Sequence, residues 1–208
     1  FVLDDYSPLR HIDEAALAGP AILFPVKKAL SYIPLRPIDS PAKNSLGETF
    51  YLAPNPPFGA VFTYYLKDAL KPSAEARREE EKRLLKDGKP VTFPGWEVLR
   101  KEEQEQKPEI VLTVTDEAGQ VVRRVTGPTG KGLHRVAWDL RYPAVDPTQL
   151  ETAQRESWES APQGPLVVPG TFTVTLSKKV DGVLTPLGAP ARFVVESLNL
   201  ASLPEKDK

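Results

Sequence analysis

IVLTVTDEAGQVVRRV, residues 110–125, followed by GLHRVAWD, residues 132–139, decides the fold. Ile110, Leu112 and Val114 alternate with Val111, Thr113 and Thr115, so both faces carry strand formers. Glu117-Ala118-Gly119-Gln120 supplies a hairpin turn, with Gly119 at a position suited to positive φ. Val121–Val125 is the returning strand. Gly127-Pro-Thr-Gly130 then breaks the pattern, and a third strand follows. It sets Leu133, Arg135, Ala137 and Asp139 on one face and His134, Val136 and Trp138 on the other.

Working outward, TFTVTLS at 171–177 has the same period of two. Asp181-Gly182 is a hairpin dipeptide joining it to 183–187, and RFVVE at 192–196 closes the pattern. Upstream, VFTYYLK at 61–67 is aromatic and β-branched. These are seven short strands, with no helix between strands after residue 108. That predicts a mainly β, antiparallel sandwich over residues 58–198 rather than a parallel α/β sheet. Trp138 is expected to fill the space between the sheets.

Two stretches depart from this rhythm. Residues 73–107 are dense in Glu, Arg and Lys, and read as a charged helical insertion. Ser73 is the expected N-cap, Gly88 the stop, and 97–106 a second helix ended by Pro108. Residues 1–57 are rich in proline, at 34, 37, 41, 54, 56 and 57 with Pro25 just before, and read as an extended segment. Residues 199–208 are a polar tail.

The chain has 208 residues, 22 prolines, no cysteine and no methionine. The missing cysteines exclude thiolate chemistry and disulfides. A chain that does not begin with Met is expected to be processed or excised. The formal net charge is −1. It provides no overall basic excess for nucleic acid or for an anionic membrane surface, and no apolar run is long enough to span a bilayer.

Chemistry-bearing motifs are sparse. His11 and His134 are isolated from each other. No H-E-x-x-H, no G-x-S-x-G and no phosphate-binding loop occur. Asp4, Asp5, Asp116, Asp139 and Asp146 could pair as glycosidase acids or offer oxygens to Ca²⁺. No spacing sets two of them across a cleft; Asp4 and Asp5 are expected to bond loop backbone, and Asp116 to shape its turn. No catalytic residue, metal site or cofactor is therefore assigned. Trp96 and Trp158 are the candidates for binding a ligand by stacking, against a simpler role as loop anchors.

The pieces VLTVTDEAGQVVRRV, GLHRVAWDLR and VPGTFTVTL resemble the Ig-like domain of the flagellar hook-capping protein. The opening FVLDDYSPLR and the segment PNPPFGAVFTYYL resemble the C-terminal region of large bacterial proteins with sortilin-type or neuraminidase-repeat β-propellers, often labelled glycosyl hydrolases. The resemblance covers roughly residues 1–198. It leaves 73–107 unmatched, and the propeller-blade signature S-x-D-x-G-x-T-W is absent. It implies an Ig- or fibronectin-III-like sandwich in a secreted, periplasmic or cell-surface protein. Residues 1–57 would continue from an upstream propeller, with FVLDD pairing with that propeller's sheet. The implied function is a non-catalytic accessory module docking on or stabilising the propeller. The alternatives are a carbohydrate-binding module, or a part that donates a loop to a glycosidase or peptidase site in the propeller. The implied partners are that propeller and a polysaccharide or protein ligand.

Overall fold

The computed structural model describes residues 5–33, 56–145 and 162–198. Phe1–Asp4, Asp146, Trp158 and the polar tail lie outside them.

All seven anticipated strands are present: β3 (Ala60–Leu66), β4 (Glu109–Thr115), β5 (Val121–Gly127), β6 (Gly132–Trp138), β7 (Gly170–Val180), β8 (Val183–Pro186) and β9 (Ala191–Ser197). Two further strands, β1 (Ala21–Leu23) and β2 (Ala29–Ser31), come from the segment read as extended coil. A 3₁₀ turn at Ser7–His11 and a short helix α1 (Glu14–Ala18) precede them.

The strands form two sheets, β1-β3-β6 and β2-β9-β7-β4-β5. β1 pairs antiparallel to β3, while β2 pairs parallel to β9. The N-terminal chain therefore crosses from one sheet to the other. The crossing is pinned by Phe24, which is buried and donates its N–H to Thr63 O at 3.0 Å, just before Pro25. Elsewhere the pairing is antiparallel. β8 and β9 lie along one edge of β7, and between Val174 and Ser177 that edge accommodates two extra residues, which separates them.

Period-two alternation explains the core. Phe62, Tyr64 and Leu66 of β3 and Trp138 of β6 face Ile110, Leu112 and Val114 of β4, Phe172, Val174 and Leu176 of β7, and Phe193 and Val195 of β9. Trp138 is 1% exposed, edge-on to Phe172 at 5.5 Å. Its indole N–H is satisfied by Arg141 O at 3.0 Å. Tyr64 is buried too, and its hydroxyl donates to Pro128 O at 2.6 Å. Burial pushes that hydroxyl's pKa far up, so it remains a neutral donor.

The turns follow their residues. Gly119, at φ 78, closes the β4–β5 hairpin, and Asp116 Oδ1 accepts the Gln120 N–H at 2.8 Å. Asp181 and Gly182 both take positive φ between β7 and β8, as a two-residue primed turn requires.

Candidate interaction surface

The charged insertion is an antiparallel pair of helices, α2 (Ser73–Lys86) and α3 (Trp96–Gln104), inserted between β3 and β4. Neither helix packs extensively on a strand, so the pair forms an arm. At its base the Leu70 N–H bonds Thr129 O at 2.8 Å. The predicted cap takes a different form. Pro72 holds the cap position and Ser73 is the first helical residue. The Ser73 N–H and hydroxyl both bond the Glu105 carboxylate, at 2.7 and 3.1 Å. The carboxylate from the partner helix thus satisfies the Ser73 N–H, while the Glu75 and Ala76 N–H groups that an N-cap Ser73 would have bonded go instead to Pro72 O. The second helix also starts and ends earlier than predicted, because Gly95, at φ 91, turns the chain just before Trp96. Gly88 ends α2 as expected: its N–H bonds Leu85 O at 3.1 Å, and the Lys89 N–H bonds Leu84 O at 2.8 Å.

Only Ala74, Arg77, Glu81 and Leu84 of α2 are partly shielded, in the stripe turned towards α3. Arg77 locks this stripe. Its Nε and Nη2 bond the two oxygens of Glu102, at 2.7 and 2.8 Å, and its Nη1 bonds Glu81 at 2.5 Å. These bonds hold the Glu102 carboxyl below the usual range and the guanidinium above its own. A carboxyl lowered in this way adds stability at pH values above its unfolded pKa and loses it as pH falls through the folded one. The arm is therefore expected to stay closed at neutral pH and to loosen only in acid, once pH has fallen below the usual glutamate range. In Glu102→Gln, amide exchange in α3 should accelerate several-fold at neutral pH while exchange in β4 and β7 is unchanged. Equal exchange in α3 of the two proteins would show that the Arg77 bonds do not hold the arm.

The far end of the arm presents apolar side chains to solvent. Phe93 and Trp96 contact each other edge-to-face at 5.2 Å, and are 58% and 70% exposed. Leu85 and Val98 are exposed as well. Trp96 is thus an exposed candidate and not a loop anchor. Phe93, its neighbour across Pro94-Gly95, was missed from sequence, although the F-P-G-W run is a visible signal. Trp158 lies outside the described residues.

Beside α3 an open depression of about 470 Å³ runs between the arm and the β7–β8 turn, reaching Lys101, Gln104 and Asp181. Its other carboxylates, Glu102 and Glu105, are the ones already bonded to Arg77 and Ser73.

The remaining candidates are dispersed. Asp5 accepts the Ser7 N–H at 3.0 Å. Burial opposes its charge, but the Ser7 bonds, with Lys27 and Arg135 nearby, outweigh burial and lower its pKa. Asp116 shapes its turn, and Asp139 accepts the Arg141 N–H at 3.2 Å. His134 lies against the Tyr64 ring, with Nε2 2.6 Å from Gly130 O. Among the described residues no three His, Asp or Glu side chains converge as a metal site, and no helix is long and apolar enough to cross a membrane. No protein-family model, curated protein or solved structure matches the chain.

Proposed function

We propose that this chain is a non-catalytic interaction module: an Ig-like sandwich, borne by a secreted or surface β-propeller protein, that docks on or stabilises the propeller. The observation that carries the reading is the arm, a two-helix projection that exposes Phe93 and Trp96 where a purely structural insertion would bury them. The strand order supports the Ig-like part. β3 and β6 pair as strands B and E would, and β5-β4-β7-β9 run as C′-C-F-G. In that correspondence the arm replaces the B–C loop. It lies at the same end as residues 128–131 and the 181–182 turn, the end at which immunoglobulin variable domains bind their ligands. The carboxylates and histidine described above are engaged in local structural bonds, which favours binding over turnover. A carbohydrate-binding role draws support from the exposure of Trp96 alone. The third alternative, a loop donated to a glycosidase or peptidase site in the propeller, is not favoured by any specific observation.

Two measurements test the proposal. The upstream propeller region, prepared without this module, should bind the module in trans and melt at a higher temperature in its presence. Absence of both effects would remove the docking role. The isolated module should turn over neither aryl glycosides nor peptides, and turnover abolished by changing one of its carboxylates would make it an enzyme.

A further inference from the structure

The whole-chain charge of −1 conceals a strong segregation along the arm. Between residues 82 and 101 stand six basic side chains, Lys82, Arg83, Lys86, Lys89, Arg100 and Lys101, against two acidic ones, Asp87 and Glu97. In the flanking stretches 71–81 and 102–109 the balance reverses, with eight acidic residues against four basic. The helix pairing turns this sequence pattern into a spatial one. Ser73 bonds Glu105 and Arg77 bonds Glu102, so α2 and α3 run antiparallel with Lys82–Lys86 level with the connection and the start of α3. Lys82, Arg83, Lys86 and Lys89 therefore lie at the free end of the arm, whereas Arg100 and Lys101 lie nearer its acidic base, Lys101 beside the depression that Ser73, Glu102 and Glu105 also line.

The two ends also differ in how their charges are used. At the base, Glu79, Glu81, Glu102 and Glu105 are bonded to Lys71, Arg77 and Ser73. Among the described residues, only Arg83 of these six cations is in an ion pair, with Glu80 at 2.7 Å. Lys82, Lys86 and Lys89 share the free end with the exposed Phe93, Trp96 and Leu85, and Arg100 stands one helical turn after Trp96 on α3. The free end therefore combines a net positive charge with exposed apolar side chains that include Trp96 and Phe93.

From this we infer that the arm tip docks on an anionic lipid surface, with the aromatic pair entering the headgroup region and the lysines and Arg100 facing acidic headgroups. Amphipathic aromatic rings settle at that depth, and long cationic side chains reach the phosphates while their stems stay apolar. The cations beside the aromatic pair and the exposed aliphatic Leu85 favour this occupant over a neutral polysaccharide, which would be held by convergent hydrogen-bonding groups. The inference assigns Phe93 and Trp96 to lipid and not to the propeller, so the vesicle experiment and the binding of the propeller in trans separate the two readings; it involves no membrane-spanning segment.

Co-sedimentation of the full chain with vesicles tests it. The chain should sediment with phosphatidylcholine vesicles containing about a quarter phosphatidylserine and remain in solution with phosphatidylcholine alone. Binding should fall steeply when salt rises from about 0.1 M to about 1 M, as the screening length shrinks from ~10 Å to ~3 Å. Each surface cation contributes about fivefold to partitioning, so Lys89→Glu with Arg100→Glu should weaken binding by at least about thirtyfold. Phe93→Ser with Trp96→Ser should weaken it about tenfold or more. All these positions are exposed, and unchanged thermal melts will verify that the variants are folded. Three results would overturn the inference: no sedimentation with the acidic vesicles, equal sedimentation with the neutral ones, or wild-type binding by both double variants. Binding to soluble polyglutamate without vesicle binding would also overturn it, and would assign the tip to an acidic macromolecule.

Discussion

Trp138→Ala should cost about 3–5 kcal/mol, the largest loss expected from truncating any side chain in the core. The indole closes the end of the sandwich where β6 runs out. It packs edge-on against Phe172 at 5.5 Å and against Phe193 at 6.3 Å, so its ring joins the two sheets. A ring of this size removes roughly 150–250 Å² from water. Its removal would leave a cavity lined by β7 and β9 that these paired strands cannot collapse to fill. It would also strip Arg141 O of the indole N–H. Against a total stability of about 5–15 kcal/mol, that loss is a large fraction. Thermal unfolding should begin about 10 °C lower or more. Trp138→Phe retains an aromatic ring and gives up the hydrogen bond and part of the volume, so it should fall between the two. A Trp138→Ala protein that melts within a degree or two of wild type would mean that the indole is not the joint between the sheets.

The sandwich was legible in the sequence wherever a strand was long enough to show a period. β4, β6 and β7 each show several alternations, and the turns that follow β4 and β7 contain Gly119, and Asp181 with Gly182, where positive φ falls. β1 and β2 were illegible for the converse reason. Three residues show no period, and prolines surround them. The parallel pairing of β2 with β9 joins residues some 166 positions apart, Ala29 with Val195, and no local pattern encodes it. The arm was legible as charged helix, and Trp96 as a possible contact. Its charge segregation was hidden by averaging. A whole-chain charge near zero argued against anionic partners, whereas the helix pairing sorts the same charges into a basic end and an acidic end. The Ser73–Glu105 bond was equally out of reach, because it depends on how two helices align and not on either helix alone.

Gly59→Ala should be the most damaging of the conservative substitutions, although Gly59 lies outside every strand and an alanine adds one carbon. Gly59 sits at φ 102 immediately before β3, where Ala60 pairs with Trp138. A Cβ built there would lie 1.9 Å from Trp138 O and 2.9 Å from its carbonyl carbon. Both are main-chain atoms of the neighbouring strand, so no side-chain rotation can make room. The β3–β6 ladder would have to open at the end that positions the Trp138 ring. The positive φ adds a penalty of its own, since an L side chain at that angle crowds its own carbonyl. The two effects can be separated within this protein. Gly119, at φ 78, has nothing within 4 Å of its would-be Cβ. Gly119→Ala therefore measures the backbone penalty alone and should cost about 1–2 kcal/mol. Gly59→Ala should exceed it by at least about 2 kcal/mol. Chemical denaturation of the two variants under the same conditions decides the matter. Equal losses would mean that β3 shifts freely away from β6 at this corner. In that case Trp138 would be held by the second sheet and not by its own, and the corner would not be the rigid point of the sandwich.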